Sequence, residues 1–278
     1  MKGNFVIDNA VLNQKYEKLK KIITGYGKAT VAFSGGVDSS FLSKVCYDIL
    51  NENAMAITVV SPLLPKSELR DAADVAEFIG IKHVIIEDNG IDEKVAENPV
   101  DRCFHCKKIE FGTIKNKSME YGIETVLDGS NYDDLSDYRP GLKALQELNI
   151  SSPLREAGLT KDEIRELSKS MNLKTWSKPS YACLASRVPY GEIINIGKLS
   201  RIEKSEDFLR SKGFRQYRVR SHEDIARIEI APDERDKIFN TLLMDEISKE
   251  IKSYGFTYVC LELEGYKTGS LNSKILNK

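Results

Sequence analysis

Two short patterns in this sequence have residue types and spacing that could do chemistry. The first is Ser34-Gly-Gly-Val-Asp-Ser-Ser40, followed by Phe41, Leu42 and Val45 at helical spacing. Paired glycines let backbone N–H groups approach an anion closely, and a helix starting there adds unpaired N–H groups and a positive dipole end. Ser34, Ser39 and Ser40 add hydroxyl donors. Asp38, an acid placed beside phosphates, suits a ligand for Mg²⁺ bridging them. Ser34, Gly35, Gly36, Val37, Asp38, Ser39 and Ser40 are therefore candidate phosphate binders, against the plainer alternative of a Gly-rich turn with a Ser/Asp cap. A Walker A loop is excluded because no G-x-x-x-x-G-K-[ST] occurs. Gly25-x-Gly27 precedes a strand and has Thr30 where a third glycine would fall, which excludes a dinucleotide fingerprint.

The second pattern lies among the cysteines. There are five, an odd count that argues against a disulfide framework and for thiols or a metal site. Cys46, inside the helix after the glycine loop, and Cys260, inside the apolar run Tyr258 to Leu263, are expected as small buried hydrophobes. Cys103-Phe-His-Cys106 has metal-ligand spacing, and Cys183 lies in Tyr181-Ala-Cys-Leu-Ala-Ser-Arg187. No second C-x-x-C and no plant-type or Rieske spacing is present. Three thiolates without an obvious fourth suggest an iron–sulfur cluster with one iron left open. Zinc held by Cys103, Cys106, Cys183 and His105 is one alternative. A metal-free redox pair is another, disfavoured because the motif does not open a thioredoxin-like helix after a strand.

These groups need elements to position them. Ala29 to Phe33, Ala54 to Val60, His83 to Glu87 and Thr125 to Asp128 are short, apolar and rich in β-branched residues, which predicts buried strands. Between them, Lys66 to Phe78 puts Leu69, Ala72, Ala73 and Ala76 on one helical face, with Gly80 as a stop. Thr160-Lys-Asp-Glu163 has the form of a capping box opening a helix through Ile164, Leu167 and Met171. The β-then-α order predicts an α/β domain with a doubly wound parallel sheet over 1–176. An interdomain segment, 177–195, carries Cys183. Over 196–278 a helix around Lys198 to Lys212 precedes strands Gln216 to Arg220 and Ile225 to Ala231. A helix from Pro232 to about Tyr254 and a strand Thr257 to Leu263 complete a smaller α+β, ferredoxin-like domain for substrate binding and oligomerisation.

The composition suits that size: 278 residues, 41% hydrophobic and 30% charged, enough for a core and against global disorder. Lys+Arg 41 against Asp+Glu 42 gives net charge -1, so no overall basic field attracts nucleic acid and any anion site must be local. The first ten residues lack a signal-peptide layout, and no stretch reaches the ~18 apolar residues of a membrane span. A cytoplasmic globular protein, not associated with membranes, is expected.

At the end of the first predicted strand, SGGVDSS resembles the PP-loop of the ATP-pyrophosphatase superfamily, which includes asparagine synthetase, GMP synthetase and tRNA-thiolating enzymes. Asp128-Gly129-Ser130-Asn131, and Ser152-Pro-Leu-Arg155 followed by Lys161, Glu163 and Arg165, resemble nucleotide-lining stretches of that superfamily. With Asp101-Arg-Cys-Phe-His-Cys106-Lys107, Lys178-Pro-Ser-Tyr-Ala-Cys183-Leu-Ala-Ser-Arg187 and Ala226-Arg-Ile-Glu229, nearly the whole chain is similar to the LarE-type ATP-dependent sulfur transferases. The resemblance implies an adenine nucleotide alpha hydrolase-like fold, with ATP and Mg²⁺ held by the loop, Gly129 and Arg155. It implies adenylylation of a carboxylate of pyridinium-3,5-biscarboxylic acid mononucleotide, loss of pyrophosphate, and replacement of oxygen by sulfur on the way to a nickel-pincer nucleotide. Two chemistries occur in that family: a single cysteine that sacrifices its sulfur, and three cysteines that hold a 4Fe–4S cluster carrying sulfide. This sequence has all three, so the cluster form is expected, with Cys103, Cys106 and Cys183 as ligands and catalytic groups beside Asp38. A homo-oligomer, trimer-based or hexameric, and a sulfide or other sulfur donor are implied as partners.

In the second domain, Arg218 and Arg220 share one strand face and suit a phosphate clamp; a solvated charged face is the competing reading. The resemblance places a phosphate contact in Gly265-Tyr-Lys267-Thr-Gly-Ser270, where an arginine is usual and Lys267 stands here. It also places metal-binding carboxylates near Glu206, with Glu203 as the other alignment, and near Glu229. Trp176 is expected to pack rather than to stack on a ligand. The competing functions are a tRNA- or small-molecule-thiolating PP-loop enzyme and a nucleotide-binding or cluster-sensing module without turnover.

Overall fold

The structure is a computed structural model that describes residues 9–136, 141–179 and 182–267. Ser180 and Tyr181, and Thr268 to Ser270 of the expected phosphate contact, lie outside the described residues. In chain order the elements are α1 (Asn9–Tyr26), β1 (Ala29–Ala32), α2 (Val37–Leu50), β2 (Ala54–Val60), α3 (Lys66–Ile79), β3 (Lys82–Glu87), α4 (Glu93–Ala96), α5 (Arg102–Glu120), β4 (Val126–Leu127), α6 (Gly141–Glu147), α7 (Pro153–Ala157), α8 (Lys161–Ser170), α9 (Ile196–Ser211), β5 (Tyr217–His222), β6 (Ile225–Ile230), α10 (Thr241–Ser253) and β7 (Tyr258–Leu261). Backbone contacts divide the chain into two compact units. The first holds the described residues of Met1–Ser61, Lys66–Asn89 and Asp101–Tyr181; the second holds those of Pro62–Pro65, Gly90–Val100 and Ala182–Lys278.

In the first unit the strands form a parallel sheet in the order β3-β2-β1-β4. The side-chain alternation of β2 explains why its sequence is apolar throughout. Ala54 and Ala56 join the core with Leu19, Phe41 and Leu154, while Met55 and Ile57 join a second core with Phe111, Ile114 and Leu145 on the other face. β3 departs from the expected buried strand. It is the sheet edge, and Ile85 is left exposed, because a strand with a neighbour on one side only keeps part of its surface in water. Helix α3 ends as predicted at Gly80, in the left-handed region (φ +81). The capping box at Thr160 is complete in both directions, and Lys15 of α1 pairs with its Glu163 at 2.7 Å. Glu163 is held below the usual carboxylate range: burial pushes it up, but the Lys15 ammonium and the Thr160 N–H outweigh this.

The second unit is α+β. β5 and β6 form an antiparallel hairpin, and β7 returns parallel to β6, so its three-stranded sheet is mixed. Where a single helix from Pro232 to Tyr254 is predicted, a 3-10 turn (Pro232–Ile238) precedes α10, and Asn240 caps the new start by accepting from Leu243 N–H. Asn98, in the left-handed region (φ 56), donates to the Val188 and Pro189 carbonyls; this ties the 90–100 segment into the second unit.

One buried carboxylate marks how this unit responds to acid. Glu234 is 1% exposed and accepts from the N–H groups of Arg215 (2.9 Å) and Gln216 (3.0 Å) and from Lys237 (2.7 Å). Burial alone would raise its pKa, but these donors outweigh it and hold it down from 4.5 to about 2. A depressed pKa stabilises the fold above the unfolded value, and that contribution is lost as pH falls through the folded one. We expect the second unit to lose stability as pH drops from about 4.5 towards 2. Glu234→Gln should lower stability at pH 7 and flatten that acid limb, measured by denaturant titration as a function of pH; an unchanged limb would remove Glu234 as its source.

Candidate functional site

β1 lies between β2 and β4, so the chain leaves it in opposite directions across the sheet, and the crevice at the carboxyl ends of β1 and β4 is where such sheets bind ligands. A cavity of about 210 Å³ opens there. Ser34, Gly36, Asp38 and Ser39 line it from the loop after β1, and Asp128, Gly129, Ser130 and Asp134 line it from the loop after β4. Lys107, Glu110 and Phe111 of α5 close a third side. The volume is below the ~300–1,000 Å³ of pockets that enclose a drug-sized ligand, so it has room for a small anion such as a phosphate group rather than for a whole nucleotide.

The loop is built on its glycines. Gly35 has φ +66, and a Cβ there would lie 2.7 Å from the Ala72 Cα of α3, so only glycine lets the loop sit on that helix. Gly36 caps α2 with no side-chain cap, so the start of a 14-residue helix, with its unpaired N–H groups, borders the cavity that Gly36, Asp38 and Ser39 line. Ser34 Oγ lies 3.1 Å from Ser39 Oγ, and both line the cavity. Val37 and Ser40 do not line it. Both are buried, and Ser40 N–H is engaged by the Gly36 carbonyl (3.0 Å). Gly129 brings the β4 loop to α2, since a Cβ there would lie 3.2 Å from Ser39 N. Arg155 sits on α7 and is not among the lining residues.

Asp38 places one carboxylate oxygen 2.5 Å from Lys161 Nζ, and its other oxygen, Oδ1, is buried with no hydrogen-bond partner. An anionic oxygen so placed fits a divalent cation, because a buried acceptor left empty costs about 1–3 kcal/mol. The capping box puts Lys161 at the first turn of α8, where its N–H also donates to Asp133 (2.8 Å) in the β4 loop. Asp128 is buried and accepts from the Ser130 and Ser152 hydroxyls. The cavity wall therefore carries Asp38, Glu110, Asp128 and Asp134 against Lys107. A polyphosphate would bind there with a cation rather than alone.

At the start of α5, Cys106 immediately precedes Lys107 and Cys103 stands one turn earlier, both partly exposed. At 100° per residue the two thiols lie about 60° apart on the helix, whereas His105 lies about 160° from Cys103. His105 instead faces Asp101 (3.3 Å) and meets Phe104 edge-on, which weighs against its joining them on one ion. Cys183 is exposed at the start of a 3-10 turn, Leu184–Arg187, of the second unit. Among the described residues no three His, Cys, Asp or Glu side chains are gathered as a metal group. Cys103 and Cys106, adjacent on one helix face and reachable from solvent, are donors of the kind that hold iron–sulfur clusters, and Cys183 of the second unit is a further exposed thiol. Cys46 is fully buried, which raises its thiol pKa far above normal, as expected for a packing residue. Cys260 departs from expectation: it is exposed, because β7 alternates and turns Tyr258 and Cys260 to solvent.

In the second unit, Arg187 is 0% exposed and pairs bidentately with Glu206 (2.9 and 2.8 Å), while donating to the Ala182 and Cys183 carbonyls. Burial works against its charge, but Glu206 outweighs this and raises its pKa. Arg220 pairs bidentately with Glu229 (3.0 and 2.8 Å) and donates to the Ser186 carbonyl (2.6 Å). Glu229 also meets Arg227 (3.0 Å). Glu206 and Glu229 therefore serve these arginines, and Arg218 and Arg220 are buried rather than on a solvated face. Arg218 lies over the Tyr266 ring at 5.2 Å. Lys267 is exposed and pairs with Glu264 (2.9 Å). Trp176 is 40% exposed, with Lys169 over its ring at 5.2 Å, so its packing is partial. Sequence reasoning missed Lys107 as a cavity group and Arg187 as the anchor of the Cys183 turn. Only adjacency to the C-x-x-C and Cys-Leu-Ala-Ser-Arg patterns marked them.

The profile of the family described as NAD synthase matches residues 10–117, the part that carries the glycine loop and the start of α5. An uncharacterized protein of Synechocystis sp. is 41% identical over 96% of this chain and 100% of its own length. The pyridinium-3,5-bisthiocarboxylic acid mononucleotide synthase of Lactiplantibacillus plantarum is 34% identical over 96% of both chains. An uncharacterized protein of Methanocaldococcus jannaschii is 36% identical over 92% of this chain and 94% of its own length.

Gly35→Ala places a Cβ against the α3 backbone at a positive φ. We expect ATP affinity to fall at least about tenfold, by isothermal titration, with a loss of roughly 1–2 kcal/mol in stability. Unchanged affinity would remove the loop from the nucleotide site.

Proposed function

The chain belongs to the family of LarE-type PP-loop sulfur transferases, and from that premise we propose that it thiolates pyridinium-3,5-biscarboxylic acid mononucleotide at the expense of ATP. The observation that carries the ATP half is the cavity where the N–H-bearing loop of β1, the β4 loop and Lys107 converge at the sheet's switch point. A carboxylate oxygen of the substrate attacks the α-phosphorus of ATP; the bond from α-phosphorus to the bridging oxygen breaks and pyrophosphate leaves. The residues that take up the charge of that leaving group are the α2 N–H groups, the Ser34 and Ser39 hydroxyls and Lys107. Asp38 would hold Mg²⁺ through its buried Oδ1, and Lys161 fixes the other oxygen of the same carboxylate. The acyl adenylate then carries AMP as its second leaving group: a sulfur nucleophile forms the carbon–sulfur bond and AMP departs with the former carboxylate oxygen.

Cys103, Cys106 and Cys183 would hold a 4Fe–4S cluster. When bound, such a cluster supplies an iron with an open position for sulfide. The chain's own contribution is to hold the ligands in place. Cys103 and Cys106 are set on one helix face, and the backbone at Cys183 is tied by the buried Arg187, which Glu206 holds in turn. Arg218, which lies over the Tyr266 ring, and Arg220, which pairs with Glu229, are the arginines read as the clamp for the mononucleotide phosphate. A homo-oligomer, trimer-based, is part of the same reading.

Incubation under anaerobic conditions with ATP, Mg²⁺, sulfide and the biscarboxylate mononucleotide should release AMP and pyrophosphate. The product should be heavier by the exchange of oxygen for sulfur; ADP in place of AMP would overturn the reading. Anaerobic reconstitution should load about four irons per chain, as for one such cluster, and stoichiometric zinc would overturn the cluster. Cys106→Ala should abolish repeated turnover with sulfide; a single turnover that converts Cys183 to dehydroalanine would point instead to the sacrificial route.

A further inference from the structure

Lys178 lies outside the reading above, yet it touches the anion loop. Its side chain is 13% exposed, and its ammonium lies 3.3 Å from the Gly35 carbonyl, 3.0 Å from Glu68 and 2.8 Å from Asp71 of α3. Neither Gly35 nor Lys178 lines the cavity, so the Gly35 carbonyl is turned to the α3 side of the loop. That orientation matters. A carbonyl oxygen aimed at a polyphosphate would repel it, whereas the same peptide plane turned outward leaves N–H groups facing the anion. Gly35 cannot be held there by a side chain of its own, and its φ of +66 is one of several values open to glycine. The backbone around Lys178 is fixed as well: Arg165 donates to the Trp176 and Lys178 carbonyls, pinning this segment to α8.

We propose that Lys178 is a positioning residue for the nucleotide loop: it clamps the Gly35 carbonyl against Glu68 and Asp71 and so keeps the loop's N–H groups directed at phosphate. It touches no reacting atom in this role. Its charge also offsets two carboxylates at the back of the loop, one of them, Glu68, buried. The consequence for ATP rests on the ATP-using function proposed above. The clamp itself does not.

The test separates the two. Amide hydrogen exchange on the nucleotide-free protein should show residues 34–37 exchanging at least tenfold faster in Lys178→Met, with β1, β2 and α8 unchanged. In the same variant the dissociation constant for Mg-ATP should rise at least tenfold, while that for adenosine, which has no phosphate, stays within twofold. Lys178→Arg should restore most of the ATP affinity, since it keeps charge and donor. Because Lys178→Met leaves Glu68 and Asp71 facing each other, the double variant Lys178→Met/Glu68→Gln relieves that repulsion; it should still show fast exchange in 34–37. Unchanged exchange in 34–37, or ATP and adenosine weakened equally, would overturn the clamp. Wild-type protein that binds no ATP while the exchange difference holds would overturn the proposed function and leave the clamp standing.

Discussion

Everything at the nucleotide end of this protein depends on β1 being hydrogen-bonded on both sides. Parallel pairing with β2 on one side and β4 on the other brings two loops, far apart in sequence, to the same carboxyl end of the sheet. Because both faces of the sheet are covered, by α1, α2, α7 and α8 on one side and α5 and α6 on the other, the strands cannot slide without exposing core. The loop after β1 inherits that rigidity. Gly35 lies against Ala72 with no space for a methyl group, and Gly129 lies against Ser39, where a methyl group would be a tight contact. An anion cradle made of backbone N–H groups works only if the backbone is held; here the packing of two helices holds it.

Charge is organised around the cradle rather than spread over the chain. A net charge of -1 hides a cavity wall of four carboxylates and one lysine, with Lys161 and Lys178 each engaged by carboxylates close by. This arrangement suits a ligand that arrives with its own divalent cation, since polyphosphate alone would meet repulsion. Lys161 and Lys178 then serve different ends: one holds a carboxylate that can bind the cation, the other holds the loop from behind.

The second unit uses buried ion pairs for positioning. Arg187–Glu206 and Arg220–Glu229 are both bidentate and nearly inaccessible to water, and pairs of that kind add little stability over apolar packing of equal volume. What they add is definition. Arg187 reaches the carbonyls of Ala182 and Cys183, and Arg220 reaches that of Ser186, so the turn carrying an exposed thiol is tied to α9 and β5 by groups that cannot easily be exchanged. An exposed thiol on a fixed backbone is what a sulfur-handling site needs.

By itself the sequence determined the local grammar: four parallel strands, the SGGVDSS loop on the second helix, the Thr160 capping box, the Gly80 stop and the burial of Cys46. Those features are local, written in periodicity, glycine placement and cap residues acting over a few positions. The tertiary structure decided the rest. β3 proved to be an edge, Cys260 faces solvent, and Pro232 to Tyr254 breaks at Asn240. Glu206 and Glu229 were legible as acids and Arg220 as a clamp, but their pairing was not, because an ion pair joins residues whose separation in sequence carries no signal. Lys107 and Lys178 were hidden for the same reason. A lysine's role depends on which oxygen the fold brings to its ammonium, and only the packed chain specifies that.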